Sequence, residues 1–373
     1  MTTSTKVTDT QIREWRARGH AYLLIAAEIA EWAAGREHFT VLPDDDFFSI
    51  DELPELMRAS EAARHLGERD TVDMDDSSKY GFGVLTSTNI GPLHVGCAMW
   101  SYTPWQGRFV PASLSPQERL RAYATWCNAV EGNTTFYATP QPGTTASWAG
   151  QTAEDFRFVL KLPKVVTHER RLGDVTEPMR AFLASIGPLG PRVHALWVQL
   201  PPSFGPGDLG TLAGFLRRLP REYRSCVEVR HRAFFDDQRA EQQLEATLGA
   251  AGAEWVTFDT TTLFATPPAS DAEREAWAKK PRLPRRSRAL TSHPVVRYIG
   301  RDDEARTIAG WQPWADTVAG WLREGRSPTV FIHTPDNVDA PGLARRFHDD
   351  VRARAPEVDP LPEPVEAAPP TLF

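Results

Sequence analysis

Residues 226–231, Cys-Val-Glu-Val-Arg-His, form a short run in which apolar and charged side chains alternate. Seven more apolar, β-branched or aromatic runs follow the same form, and nearly every run ends in a polar or charged residue. A buried strand does not favour such a residue unless that residue is paired or has a function. The eight runs are residues 93–99, 129–137, 156–163, 195–201, 226–231, 255–259, 295–300 and 329–335.

The segments between these runs have the periodicity of amphipathic helices. One segment places Met179, Phe182 and Ile186 on a single face, and another carries a stripe of tryptophans from Trp311 to Trp321. We interpret both stripes as packing surfaces. Eight strands alternating with helices predict a single (β/α)8 TIM barrel, a fold of class α/β. Since such barrels place their chemistry at the C-terminal ends of the strands, the residues that end the runs become the site candidates.

Length and composition fit one barrel with an extension. The chain has 373 residues and a net charge of −7, so it has no general basic surface for nucleic acid or anionic membrane, although a local basic cleft remains compatible with that charge. Cys97, Cys127 and Cys226 are odd in number and lack the spacing of a metal site. They predict a reduced, cytoplasmic protein. The apolar residues 21–34 are too short for a membrane span, and we expect no targeting segment.

Three regions are predicted along the chain. Residues 1–90 contain two or three helical patterns and an acidic linker, and are interpreted as an accessory segment. Residues 91–354 form the barrel. Residues 355–373 are rich in proline and acidic side chains, and we expect them to be disordered.

Two of the runs place carboxylates on a face that should point into the barrel. In residues 129–137 a period of two puts Glu131, Asn133 and Thr135 on one face, and in residues 226–231 it joins Glu228 to Arg230. A buried glutamate must be paired or functional. Glu228 and Arg230 are therefore either a structural ion pair or part of a catalytic site, and the sequence leaves both interpretations open.

Other strand ends supply cations, imidazoles and amides. Together they would suit an anionic or polyol substrate, since arginine binds phosphate and carboxylate through paired hydrogen bonds. The further substrate-binding candidates are Trp100, Tyr102, Lys161, His168, Gln199, Asp259, Arg297, Arg301, Asp336 and Asn337, and His333 is a further catalytic candidate.

The sequence assigns no cofactor. Six residues at strand ends are of types that bind divalent metals, but no HxH, HxxE or DxD spacing groups them. They are Glu131, Glu228, His231, Asp259, His333 and Asp336. A divalent metal therefore remains open. The GxGxxG, GxxxxGK[ST] and GxSxG motifs are absent from the sequence, which argues against a dinucleotide site, a P-loop and an α/β-hydrolase. The sequence does not indicate an oligomeric state.

Seven blocks in order resemble the family known as domain of unknown function 72, the YecE-like proteins. The blocks are Gly96 with Trp100-Ser101-Tyr102, Trp105 and Gly107; Glu131 to Tyr137; Phe156-Arg157-Phe158 with Lys161, Pro163 and Thr167-His168; Gln199 to Phe204; Glu228 to His231; Arg297 with Gly300-Arg301; and Pro335-Asp336-Asn337 with Ala340-Pro341.

This resemblance covers about residues 93–351 and implies a TIM barrel without a settled activity. The chain departs from the family at three places. Residues 97–99 stand where the family usually has Thr-Ser-Gly, Ile299 stands where it often has His, and residues 331–334 replace an aromatic-Asn-Asn run. Any mechanism that depends on those side chains would not carry over to this chain.

The leading functional expectation is an enzyme with hydrolase-type acid/base chemistry on a phosphorylated, nucleic-acid-derived or sugar-like substrate. Glu131 and Glu228 would act as acid and base, and Arg230, Arg297 and Arg301 would bind the anion. The alternative is a non-catalytic protein that binds nucleic acid with the same face. It would use arginines together with three aromatic stacking platforms, Trp100, Tyr102 and Phe136.

Overall fold

The structure is a computed structural model that describes residues 90–364. Within that range the strands form one fully parallel sheet. The strands are β1 His94–Cys97, β2 Ala129–Gly132, β3 Arg157–Lys161, β4 Val193–Gln199, β5 Ser225–Glu228, β6 Glu254–Trp255, β7 Thr257–Asp259, β8 Val295–Ile299 and β9 Thr329–His333.

The sheet closes into a barrel through its divided sixth strand. In the order β6-β5-β4-β3-β2-β1-β9-β8-β7 the two ends are β6 and β7, which are separated in the chain by Val256 alone. β6 pairs with β5 and β7 pairs with β8, while the amide of Val256 still donates to the carbonyl of Val227 at 2.9 Å. Each of the eight predicted runs therefore contains strand, and the predicted (β/α)8 TIM barrel is confirmed.

Helices cover the outside of the barrel and connect successive strands. The helices are α1 Arg119–Tyr123, α2 Thr134–Tyr137, α3 Pro142–Gly150, α4 Thr176–Ile186, α5 Leu209–Leu216, α6 Ala233–Asp236, α7 Gln238–Gly249, α8 Asp271–Lys279, α9 Glu304–Arg323 and α10 Ala340–Arg352. Short 3-10 turns lie at Thr103–Trp105, Gly187–Arg192 and Pro206–Asp208, and a π-helical turn lies at Val165–Glu169.

The tryptophan stripe of α9 packs as its periodicity predicts. Trp311, Trp314 and Trp321 are all buried against the barrel. The period of 3.6 residues places them on one face of the helix, and burial of that face fixes α9 on the sheet. These side chains are therefore part of the core.

Two sequence predictions need correction. The second strand ends at Gly132, and residues 134–137 form the helix α2, so Asn133 and Thr135 do not continue the inward face of Glu131. Residues 355–364, predicted to be disordered, instead pack on the barrel. Ala355, Val358 and Leu361 are buried there, because their spacing of three places them on one side of the segment.

Two further predictions concern residues outside the described range. The accessory segment at residues 1–90 lies outside it except for its last residue, and so does the remainder of the tail, residues 365–373. Within residues 90–364, no helix combines the length and the apolar character that crossing a membrane requires.

Candidate functional site

The interior of the barrel changes from apolar to charged along the strand direction. An apolar layer contains Ala129, Val159, Trp197, Cys226, Val256, Val295 and Phe331. The residue two positions further along each of these strands points into the same interior, because side chains alternate with a period of two. Those residues are Glu131, Lys161, Gln199, Glu228, Phe258, Arg297 and His333. We call this set the mouth layer, since it lies at the C-terminal end of the barrel.

Glu131 holds two cations in the mouth layer. Nζ of Lys161 lies 2.7 Å from its Oε1, and Nε of Arg297 donates to its Oε2 at 2.7 Å. Burial alone would raise the pKa of Glu131, but Arg297 and Lys161 more than offset that effect and lower it to about 2. Glu131 is therefore ionised at neutral pH and has both oxygens occupied. This arrangement suits an anchor for the two cations better than a general acid.

Glu228 differs from Glu131 in having one unoccupied oxygen. Its Oε1 accepts a hydrogen bond from Nε of Arg230 at 2.6 Å, whereas its buried Oε2 has no hydrogen-bond partner among residues 90–364. Burial would raise the pKa of Glu228, but the charges of Arg230, Lys161 and Arg297 lower it. An ionised carboxylate with a free oxygen can accept a proton. The structure thus makes Glu228 the stronger candidate for a general base.

His333 and Gln199 add two more unpaired polar atoms to the mouth layer. Nδ1 of His333 and Oε1 of Gln199 are buried and have no hydrogen-bond partner in the described part of the chain. Burial lowers the pKa of His333 well below its ordinary value, and the charges of Arg297, Lys280 and Lys161 lower it further. The imidazole is therefore neutral. Unpaired buried polar atoms are costly, so their clustering indicates a ligand position.

Aromatic rings lie against three cations at the mouth of the barrel. Nζ of Lys161 lies 4.9 Å from the centre of the Trp197 ring. The guanidinium groups of Arg230 and Arg297 lie 5.6 Å and 5.5 Å from the centre of the Phe258 ring. Such contacts orient cations without neutralising their charge. The cations remain available to an anion that enters the mouth.

Lys280, which no sequence pattern indicated, belongs to this site. It follows α8 and is half-buried. Burial lowers its pKa to about 7, and the charges of Arg297, Arg230 and Lys161 contribute to that shift. No ion pair to Lys280 occurs within residues 90–364. In the sequence, Lys280 lies between the sixth and seventh apolar runs among five other cations, and no pattern distinguishes it from them. Those five are Lys279, Arg282, Arg285, Arg286 and Arg288.

His168 lies at the edge of the mouth layer. Its Nδ1 is 2.9 Å from Oγ1 of Thr167, and its ring packs edge-on against Phe136 with 5.0 Å between centres. Burial lowers its pKa, and the charge of Arg230 adds to that effect. Phe136 also packs against Tyr137, which is 81% exposed. An aromatic rim therefore follows β2 beside the charged mouth.

Asp259 and Arg301 were predicted as substrate-binding residues but are engaged elsewhere. Asp259 is one position out of phase with the inward-facing Phe258, and its carboxylate accepts hydrogen bonds from Nε1 of Trp314 and from Thr261. Arg301 is buried in a paired contact with Glu273, and it also donates to neighbouring backbone carbonyls. Its donors are used by the protein, so Arg301 is unsuited to bind an anion from solvent.

Three other candidates shape turns around the mouth. Nδ2 of Asn133 donates to the carbonyl of Ala98, and a side-chain oxygen of Asp336 accepts from the amide of Val338. Asn337 adopts a positive φ of 57°, and its carbonyl accepts from Nε1 of Trp105. Asparagine tolerates this left-handed conformation better than most residues. These contacts are structural.

The predicted aromatic platforms are only partly accessible. Trp100 is 9% exposed and packs edge-on against Trp148 at 4.9 Å, which makes it part of the core. Tyr102 is half-buried and packs edge-on against Trp105 at 5.8 Å. Tyr137, which was not among the predicted platforms, is an exposed ring near the mouth. Its signal was weak, because it lay at the end of a run read as strand.

The mouth layer is better suited to an anion than to a cation. In residues 90–364 no group of three or more His, Cys, Asp or Glu side chains is placed to hold a metal ion. Each of the two carboxylates already contacts a cation, and Lys280 adds a positive charge without a partner. The electrostatic balance of the site is therefore positive.

The closed parallel barrel and its charged mouth layer define this chain as a TIM-barrel protein. The chain belongs to the family described as "Protein of unknown function DUF72", which matches residues 94–368. The resemblance found in the sequence is thereby confirmed. No activity or substrate is established for this family.

Known relatives support the same assignment. The UPF0759 protein YecE of Escherichia coli strain K12 is 36% identical over 270 residues, which cover 72% of this chain and 96% of YecE. The protein of the same name from Escherichia coli O157:H7 gives the same values.

Solved structures of the family share the fold. A DUF72 family protein from Thermotoga maritima MSB8 matches with a TM-score of 0.54 and 24% identity, over 71% of this chain and 100% of that one. Another, from Enterococcus faecalis V583, matches with a TM-score of 0.53 and 16% identity, over 72% and 98%.

Proposed function

We propose that this protein is an enzyme that uses acid/base chemistry on a small phosphorylated substrate bound at the mouth layer. The observation that carries the proposal is the free Oε2 of Glu228. This buried, ionised oxygen faces a site in which cations outnumber carboxylates and in which Gln199 and His333 also keep unpaired atoms. A preorganised set of unpaired groups beside surplus positive charge is what a reacting anion requires.

The roles of the residues follow from their contacts. Arg297 and Lys161, fixed by Glu131, together with Arg230, would bind the phosphoryl oxygens. Glu228 would take the proton from an attacking water molecule. The new bond forms between the water oxygen and phosphorus, and the bond from phosphorus to the leaving oxygen breaks. Lys280, with a pKa of about 7, would supply the proton to that leaving oxygen.

Binding of single-stranded nucleic acid without catalysis is the second candidate. Tyr137 favours it, because this exposed ring lies beside Phe136 and His168 on the rim of a positively charged mouth. Bases stack on such rings, and the backbone follows positive charge. The buried position of Trp100 weakens the same proposal.

A substrate panel separates the two candidates. Phosphomonoesters, phosphodiesters and glycosides would be offered to the full chain and to two variants, Glu228→Gln and the control Asp259→Asn. The control alters a buried carboxylate at a strand end that faces away from the mouth. We expect turnover of a phosphate ester that is lost in Glu228→Gln and kept in Asp259→Asn.

Two results would count against the enzyme. Equal turnover in the wild type and Glu228→Gln would remove Glu228 from the chemistry. Lack of turnover across the panel, combined with single-strand binding that falls steeply with added salt, would favour the nucleic-acid-binding candidate.

We propose a cellular compartment from the state of the cysteines. Cys97, Cys127 and Cys226 are all buried and unpaired as thiols. Such thiols suit a reducing compartment, and we place the protein in the cytoplasm with a small anionic molecule as its partner.

A further inference from the structure

A cavity lies at the opposite, N-terminal end of the barrel. Its volume is about 270 Å³, slightly below the roughly 300–1,000 Å³ typical of small-molecule pockets. His194, Arg224, Ser225, Ser292 and His293 are among the residues that line it. The cavity is separated from the mouth layer by the apolar layer of the barrel. It is therefore distinct from the site of the proposed function.

The imidazole of His194 is the unusual feature of this cavity. The residue is only 3% exposed, and neither ring nitrogen has a hydrogen-bond partner within the described residues. Its ring lies between those of His94 and His293, with 4.9 Å and 5.8 Å between ring centres. A buried imidazole without partners is costly unless a ligand supplies them.

The charge around these imidazoles is positive. Arg224 forms no ion pair in residues 90–364, and the nearby charge of Arg157 acts with burial to lower its pKa. Burial, the neighbouring His94 and the charge of Arg224 lower the pKa of His194 to about 2, so the ring is neutral and can donate one N–H. Glu254 also lines the cavity, but its carboxylate already accepts hydrogen bonds from Trp255 and Thr291.

We propose that this cavity binds a small anion, either inorganic phosphate or the phosphate group of a small phosphomonoester. Arg224, which lines the cavity and forms no ion pair in residues 90–364, would supply the positive charge, and His194 with the hydroxyl of Ser225 would supply neutral donors. A guanidinium group without a counter-charge beside an imidazole without hydrogen-bond partners forms an arrangement that phosphate satisfies. A cation would meet repulsion in the same place.

Phosphorus NMR line broadening and calorimetric titration of the full chain would test this site. The two probes are inorganic phosphate and glycerol 3-phosphate, with chloride holding the ionic strength constant. Arg224→Gln should weaken binding about tenfold or more, because hydrogen bonds to charged groups contribute that much. Arg221→Gln is the matched control, since this exposed arginine is not among the lining residues of the cavity. Tighter binding of either probe identifies which source of phosphate the cavity takes.

Two more variants keep the test decisive. His194→Phe preserves an aromatic ring but removes both nitrogens, so it should weaken phosphate binding without lowering the melting temperature in chloride. Because the mouth is also proposed to bind phosphate through Arg230, both cavity variants are measured in an Arg230→Gln background, which lacks that contribution. Phosphate binding should persist in Arg230→Gln and be lost when Arg224→Gln or His194→Phe is added. Phosphate binding that is absent from Arg230→Gln, or that survives both added changes, would overturn the proposal for this cavity.

Discussion

Replacing Glu131 by glutamine should destabilise the protein far more than the same change at Glu228. Glu131 is completely buried and contacts Lys161 and Arg297, whose side chains are each 5% exposed. Removing its charge leaves two buried cations without their counter-charge. Glu228 contacts Arg230, which is 19% exposed and can gain hydration when its partner becomes neutral.

Two arguments give the loss of unfolding free energy expected for Glu131→Gln. Removing one partner from a buried ion pair costs about 3–5 kcal/mol. The pKa of Glu131 falls from 4.5 to about 2 on folding, which corresponds to about 3 kcal/mol. Burial already lowers the pKa of Lys161, so that side chain can release its proton in the variant and limit the loss. We therefore expect the free energy of unfolding to fall by about 3 kcal/mol in Glu131→Gln and by about 1–2 kcal/mol in Glu228→Gln.

Urea unfolding at pH 7 followed by circular dichroism would measure both differences. The pH dependence gives a second check. A carboxylate with a lowered pKa stabilises the folded state fully above its unfolded pKa of 4.5, and this contribution disappears as the pH falls through about 2. The difference in free energy of unfolding between the wild type and Glu131→Gln should therefore become smaller as the pH falls from 4.5 to 2. Equal destabilisation by the two variants, or a gap that does not change with pH, would refute the role of Glu131 as an anchor.

Three further predictions use other parts of the structure. Arg301→Met should lower the free energy of unfolding in urea by about 3–5 kcal/mol, because the buried carboxylate of Glu273 loses its counter-charge. Ligand binding at the mouth should not change, and impaired binding in a folded variant would contradict this prediction. Gly310→Ala should lower the melting temperature, since a methyl group there would lie 2.1 Å from Oγ1 of Thr262, whereas Gly320→Ala in the same helix has open space and should raise it. Lys280 should react with an acylating reagent at pH 8 faster than the adjacent, ion-paired Lys279, as peptide mass spectrometry would show; equal rates would argue against its lowered pKa.

The barrel could be predicted from the sequence because its signals are local and repeated. Each run carries β-branched or aromatic residues, and each intervening segment carries a helical stripe. The end of the second strand could not be read in this way. The residues after Gly132 are also β-branched and aromatic, so their propensity favours strand, whereas in the structure residues 134–137 form the helix α2.

Membership of the site could be predicted only where the strand phase was clear. Glu131 and Glu228 follow apolar residues by two positions on uninterrupted strands, so both point inward as expected. Asp259 is a charged residue at a strand end too, but it is out of phase by one. The prediction that Arg301 binds substrate was wrong for a different reason. Its partner Glu273 lies 28 residues away on a helix, and sequence periodicity does not reveal such a contact.

The net charge of the chain does not describe the local charge at the two ends of the barrel. The net charge of −7 argues against an anionic partner if charge is spread evenly. It is not spread evenly along the barrel, because Lys161, Arg230 and Arg297 lie at one end, while the exposed Arg224 and the half-buried Arg157 lie at the other. The apolar layer of the barrel lies between the two ends. Positive charge is therefore concentrated locally although the chain as a whole is acidic, and a small anion that reaches either end would meet the local field rather than the charge of the whole chain.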